Sequence, residues 1–191
     1  MRYSAEHKAQ TREKLLRSSG AIAKQGGFAN AGVDGLMQAI GLTGGAFYSH
    51  FASKNALFAA IVERELSHSL ERLGEKAEGG RDKLQRCLDL YLSMAHVRQP
   101  DSGCAIPTLG AEIARADIAV REQAEHWLLQ LQQAWAKVLE DDALAWAILA
   151  QCVGALLLAR MLATPQRQEQ VLQASRELLG DLLAEPPVAA V

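Results

Sequence analysis

The chain has 191 residues, and its 20 Lys and Arg against 22 Asp and Glu leave a formal net charge of −2. With 49% hydrophobic and 22% charged residues it can bury a core, which excludes a disordered chain, and its three widely spaced cysteines exclude a disulfide framework or a zinc site. The charge is uneven: residues 1–60 hold seven basic and three acidic side chains and residues 61–191 hold thirteen and nineteen, so a +4 head joins a −6 body. That asymmetry suggests a polyanion-binding module on a larger scaffold. The N-terminal stretch MRYSAEHKAQTREK has no apolar run, so no signal peptide is expected and a reducing cytoplasm is the expected compartment. Residues 143–159 are strongly apolar, but Gln151 interrupts the run and Arg160 closes it, short of the roughly 20 residues of a membrane span. No membrane partner is expected.

Ala, Leu, Gln, Glu and Arg abound while aromatics make up only 5%, so an all-α fold of about nine helices is predicted. The first runs from about Ser4, a candidate cap, to Gln25, with Leu15, Leu16, Ser19, Ile22 and Ala23 on one face, and Gly26-Gly27 stops it. Two short helices are expected near 33–39 and 44–50, and a fourth from the Ser53 cap to about Glu78. A fifth covers 81–98, before the Pro100–Gly103 turn. The sixth can begin just after that turn, since Pro107 is tolerated in a first turn. Three more follow at about 117–140, 143–163 and 166–184, with a loose tail over 186–191.

The two short helices have the shape of a helix-turn-helix. Val33, Leu36, Met37 and Ile40 give the first a buried face, Gly41 allows the sharp turn, Leu42 is expected to plug the core, and Thr43 to cap the second helix. Tyr48, His50 and Lys54 are close together and can all donate to phosphate oxygens, beside the N–H groups of the helix that follows Ser53. Phe47 and Phe51 are read as core.

Residues 41–57, GLTGGAFYSHFASKNAL, resemble the TetR family of bacterial transcriptional regulators at Gly41, Leu42, Thr43, Gly45, Phe47, Tyr48, His50, Phe51, Ser53, Lys54 and Leu57. Upstream the resemblance takes in Thr11, Leu15, Leu16, Gly27-Phe28 and Val33-Asp34. It implies a three-helix DNA-binding domain over 1–53, then a helical ligand-binding and dimerisation domain over 54–185. It also implies that Tyr48, His50 and Lys54 anchor the DNA backbone. Gly44 and Gly45 stand where base-reading side chains could be, so base readout leans on Thr43, the Ala46 methyl, Tyr48 and backbone approach, with a larger share of the specificity left to phosphates and DNA shape. Arg12 and Lys14 are further phosphate candidates. One departure is Ala31-Gly32, where the family usually has two hydroxyl residues; Asn30 is the substitute cap. That departure keeps open an alternative reading, a helical interaction module whose helix-turn-helix no longer binds DNA.

The body carries no catalytic constellation, so no enzyme is expected and no cofactor or metal is assigned. The helix at 143–163 is apolar nearly all round and must be covered on both sides. Its small residues Ala147, Ala150 and Gly154, with Leu178 and Leu182 of the last helix, are the expected homodimer face, in keeping with the family's use of its last two helices. Tyr91, Met94, Trp127, Leu131 and Trp135 are candidates to line an effector site. Residues 103–112, GCAIPTLGAE, resemble a Gly-Cys…Leu-x-x-Glu segment of one branch of the family, some of whose members sense electrophiles through cysteine. Cys104 stands near an expected helix N-terminus, which favours a thiolate. The expected partners are therefore double-stranded operator DNA, a small-molecule or electrophile effector, and a second copy of the chain. If Cys104 is the sensor, Cys104→Ser should leave an electrophile unable to release the protein from a labelled operator fragment; unchanged release would rule the thiol out.

Overall fold

Ala- and Leu-rich segments punctuated by Gly and Pro fold here as helices throughout. The structure is a computed structural model that describes residues 5–74 and 79–184. Among the described residues there are nine α-helices and one 3₁₀ helix, Gly44–Ser49. The α-helices are α1 (Ala5–Gly26), α2 (Val33–Gln38), α3 (Lys54–Leu73), α4 (Arg81–Tyr91), α5 (Met94–Arg98), α6 (Ile106–Ala114), α7 (Ile118–Leu139), α8 (Asp142–Met161) and α9 (Pro165–Ala184). The expected Ser4 cap, the expected extension of the fourth helix to Glu78 and the tail at 186–191 lie outside the described residues.

Several boundaries follow from local chemistry. Ser53 Oγ accepts from the Ala56 N–H at 3.0 Å and starts α3. Asp141 Oδ1 accepts from the Leu144 N–H at 2.9 Å and starts α8. The expected helix over 81–98 is instead two, because Ser93 adopts an extended backbone and its hydroxyl accepts from the His96 N–H. Pro107 falls in the first turn of α6. Asn30 does not cap α2: its Nδ2 donates back to the Gly26 carbonyl at 3.1 Å, at the end of α1, and the N-cap of α2 is Gly32.

The chain forms two compact units, residues up to Leu66 with Pro100–Ala124, and Ser67–Gln99 with the chain from Glu125 onward. In the first, α1, α2, the 3₁₀ helix, the start of α3 and α6 share a core that includes Leu15, Leu36, Met37, Phe47, Leu57, Ile61 and Leu109. Set into it is an ion pair. Lys24 Nζ meets Glu65 Oε2 at 2.6 Å with both side chains under one-tenth exposed, and donates to the Gly103 carbonyl at 3.2 Å. Arg64 shares the carboxylate, its Nη1 lying 3.0 Å from Glu65 Oε1.

In the second unit, long side chains satisfy carbonyls left free at helix ends. Arg81 donates to the Leu139 and Leu183 carbonyls in the last turns of α7 and α9. Trp135 Nε1 donates to the Leu73 carbonyl at the end of α3, at 3.1 Å. Helix α8, with 20 residues, is long and apolar enough to cross a membrane by length and composition, longer than the run read from sequence. Its polar groups are nevertheless spent on protein neighbours: Gln151 donates to Ser175 Oγ on α9 and Arg160 to the His96 carbonyl on α5.

Removing Glu65 strands the buried Lys24 ammonium, whereas removing Lys24 still leaves Glu65 paired with Arg64. Glu65→Leu should therefore destabilise the protein by about 3–5 kcal/mol, and the double change Lys24→Met with Glu65→Leu should recover most of that. Urea unfolding followed by circular dichroism checks both.

Candidate nucleic-acid interface

The turn between α2 and the 3₁₀ helix is made by Gly41 at φ +77°, a conformation that side chains with a Cβ rarely adopt. After it the backbone of Thr43 is extended and the chain enters Gly44–Ser49. Two sequence expectations are corrected here. Thr43 holds the N-cap position, but its hydroxyl makes no cap hydrogen bond. Leu42 is 36% exposed rather than plugged between the helices, because Leu36, Met37 and Phe47 already fill that space. Phe47 and Phe51 are buried as core, with ring centroids 6.1 Å apart.

A Cβ at Gly44 would meet the end of the Asp34 carboxylate, an exposed side chain on α2 that would have to turn aside. No such obstacle stands at Gly45. Ala46 is half-buried, while Thr43, Gly45 and Tyr48 are exposed. Tyr48, 69% exposed, has its ring edge-on to buried Phe47 at 5.3 Å, so the core props an outward-facing phenol.

His50 lies among cations of α1. Its pKa is lowered from 6.5, first by burial, then by the charges of Lys8, Arg12 and His7. Its Nδ1 is buried without a hydrogen-bond partner. At neutral pH it is therefore an uncharged imidazole, able to meet a phosphate as a hydrogen-bond donor rather than as a cation. Arg12 itself lies over the Phe51 ring, 4.6 Å from its centroid. Lys54 is half-buried; its Nζ donates to the Ala29 carbonyl at 2.9 Å and sits 5.0 Å from the Phe28 ring centroid. The Ala31-Gly32 departure does not prevent α2, which begins directly after it at Val33.

Glu112 is a functional candidate that local pattern alone does not reveal. It reaches the head from α6, and its two oxygens accept from the Phe28 and Ala29 N–H groups at 2.9 and 2.8 Å. A carboxylate 84 residues from its partner in sequence carries no local signal, though the Gly-Cys…Leu-x-x-Glu string contained it.

The residues proposed for an effector fall into two environments. Cys104, in the first unit, is buried and precedes the N-cap of α6. In the second unit Tyr91, Leu131 and Trp135 are buried, while Met94 and Trp127 are half-buried. Tyr91 packs edge-on to His96 at 4.6 Å, and Trp127 does the same to His126 at 5.2 Å. Neither the groove at Phe28, Lys54 and Asp117 nor the one at Lys137, Glu140 and Asp142 is lined by any of these six. On α8, Ala147 and Ala150 are exposed and Gly154 half-exposed, in line with exposed Leu157, Leu158 and Met161. Leu178 on α9 is exposed and Leu182 half-buried.

An all-helical chain whose head presents a helix-turn-helix with a buried aromatic pair beneath an exposed tyrosine has the build of a DNA-binding regulator. The model of bacterial regulatory proteins of the tetR family matches residues 15–61. The HTH-type transcriptional repressor NemR of Escherichia coli is 31% identical over 117 residues, 59% of this chain and 58% of NemR. The uncharacterized HTH-type transcriptional regulator YvdT of Bacillus subtilis is 33% identical over 70 residues, 37% of this chain and 36% of YvdT. The sequence match thus spans between about a third and three fifths of these relatives. The reduced form of E. coli NemR superimposes with a TM-score of 0.75 at 23% identity, over 93% of this chain and 100% of NemR. A TetR transcriptional regulator from Chloroflexus aurantiacus does so with 0.80 at 22% identity, over 95% of this chain and 98% of that one. Residues 15–61 thus match the model of the tetR family of bacterial regulatory proteins, and the chain has the fold of these solved structures.

Because His50 resists protonation in the folded head, the unfolded chain takes up a proton first as the pH falls. The stability this group contributes is present above about 6.5 and lost as the pH drops through its lowered folded value. His50→Gln should therefore flatten the acid side of the stability profile below pH 6.5, read by urea unfolding at each pH.

Proposed function

We propose that this chain is a DNA-binding transcriptional regulator: a homodimer that holds a palindromic operator through its two heads and leaves it when a small-molecule or electrophile effector binds. The observation that carries the reading is the head, where the 41–57 string lies on a helix-turn-helix with Tyr48 exposed above buried Phe47. In this reading Thr43, Gly44, Gly45 and Ala46 approach base edges, and Tyr48, His50 and Lys54 hold phosphates. Lys54 spends one of its three N–H donors on the Ala29 carbonyl and keeps two for DNA.

The dimer follows from exposed apolar surface. Helix α8 turns Ala147, Ala150, Leu157, Leu158 and Met161 to the outside, with Leu178 of α9 exposed as well. A small-residue stripe flanked by leucines is what a close helix–helix contact between two subunits needs. Two heads at +4 each then reach adjacent half-sites, which one weakly charged head would hold poorly. Tyr91, Met94, Cys104, Trp127, Leu131 and Trp135 remain the candidates for effector contact. An effector acts in this scheme only by binding the released conformation more tightly than the DNA-bound one. The chain's named relatives are transcriptional regulators, which supports a regulatory rather than an enzymatic role.

The test is titration of a labelled duplex from upstream of the chain's own coding sequence, with sedimentation to follow assembly. Wild type should bind as a dimer. Ala46→Asp should abolish binding, and Lys54→Ala should weaken it about evenly across sequences and lower the salt slope by about one per head. Leu178→Asp should yield monomers that have lost operator affinity. Unchanged binding in all three variants would overturn the assignment.

A further inference from the structure

Glu112 is remote from the helix-turn-helix in sequence, yet its carboxylate grips the loop that supports Lys54. The two oxygens accept from two successive backbone N–H groups, those of Phe28 and Ala29, at 2.9 and 2.8 Å. Paired N–H groups of this kind form a seat for an anion, and charge-assisted bonds of this length are strong and directional. The Ala29 carbonyl, on the far side of the same residue, accepts from Lys54 Nζ at 2.9 Å. The ammonium also lies 5.0 Å from the Phe28 ring centroid, and that ring stacks on Phe58 at 4.8 Å. Carboxylate, loop and ammonium thus form one connected chain of contacts.

The loop is shaped for this grip. Gly27 has φ +83°, and a Cβ there would stand 2.8 Å from Glu112 Oε1. A side chain at residue 27 would crowd the carboxylate in this position and strain the backbone, so glycine suits the grip.

We infer that Glu112 is a positioning residue for phosphate binding by Lys54: it fixes the Phe28-Ala29 backbone, whose carbonyl holds the ammonium in place for DNA. A lysine stem is flexible, and an ammonium held at one point meets a phosphate with less ordering still to do. Glu112 itself touches no DNA in this scheme. The inference rests on the DNA-binding reading above.

The full-length chain carries the test, in four forms: wild type, Glu112→Gln, Lys54→Met and the double variant. Glutamine keeps the size of the side chain but turns an amide donor toward one of the two N–H groups. Two readouts are taken: hydrogen exchange of the Phe28 and Ala29 amides, and the slope of log affinity for the duplex against log salt. The expected result is that Glu112→Gln keeps the wild-type circular dichroism, loses protection at those two amides, and has a salt slope shallower by about 0.9 per head. Lys54→Met should give the same shallower slope, and the double variant should lose nothing more. An affinity loss in Glu112→Gln with the wild-type slope, or one that adds fully to that of Lys54→Met, would overturn the inference. Should Glu112→Gln not fold, Glu112→Asp, which keeps the charge but cannot reach both amides, takes its place with the same criteria. Wild type that binds no duplex overturns the regulatory reading and this inference with it; wild-type binding with an unaltered slope in the Glu112 variants overturns this inference alone.

Discussion

The first unit depends on a cation placed where water cannot reach it. Lys24 is buried at the last turn of α1 and needs partners on every side; Glu65 of α3 and the Gly103 carbonyl supply them. Desolvating both charges is expensive, so the pair is weak evidence for stability and better evidence for register. The three groups tie α1, α3 and the 103 turn to one another. Glu112 acts on the same elements from the other end of α6, by closing the loop after α1. With α6 tied at both ends, the helix-turn-helix is seated on a segment some 60 residues further along the chain rather than folding as an isolated three-helix module.

That seating explains how so short a reading element holds its shape. Six residues in a 3₁₀ helix, two of them glycine, have little intrinsic helical stability. The segment is fixed from beneath by buried Phe47 and Phe51. In the proposed reading the surface it offers to DNA is shallow: Tyr48 is exposed, His50 and Lys54 are half-buried, and all three are donors suited to phosphates.

Much of this was legible in the residues. The 41–57 string is dense enough that turn, buried aromatics and candidate anchors could be read position by position, and Phe47, Phe51, Leu36 and Met37 are core as their spacing implied. Caps were less legible. Ser53 caps as expected, whereas Thr43 and Asn30 do not, since a hydroxyl or amide near a helix start has several partners within reach and tertiary contacts choose among them. The break at Ser93 was hidden because the apolar period of α4 continues through it. Leu42 was misread because the space it was expected to fill is taken by residues from both flanking helices.

Local rules act over one turn of helix, so residue types and spacing suffice for the helices, for the places where glycine and proline interrupt them, and for a head carrying the tetR-family string. Which charged groups are buried together, and which backbone atoms they hold, emerges from packing alone. The pairing of Lys24 with Glu65 and of Glu112 with the 28–29 loop joins residues 41 and 84 positions apart, and the energy of such pairs depends on burial and distance, which spacing along the chain does not encode. Within the +4 head, Lys24 is spent on the core and Lys54 partly on a loop carbonyl, so less of that charge is free at the surface than the net value implies.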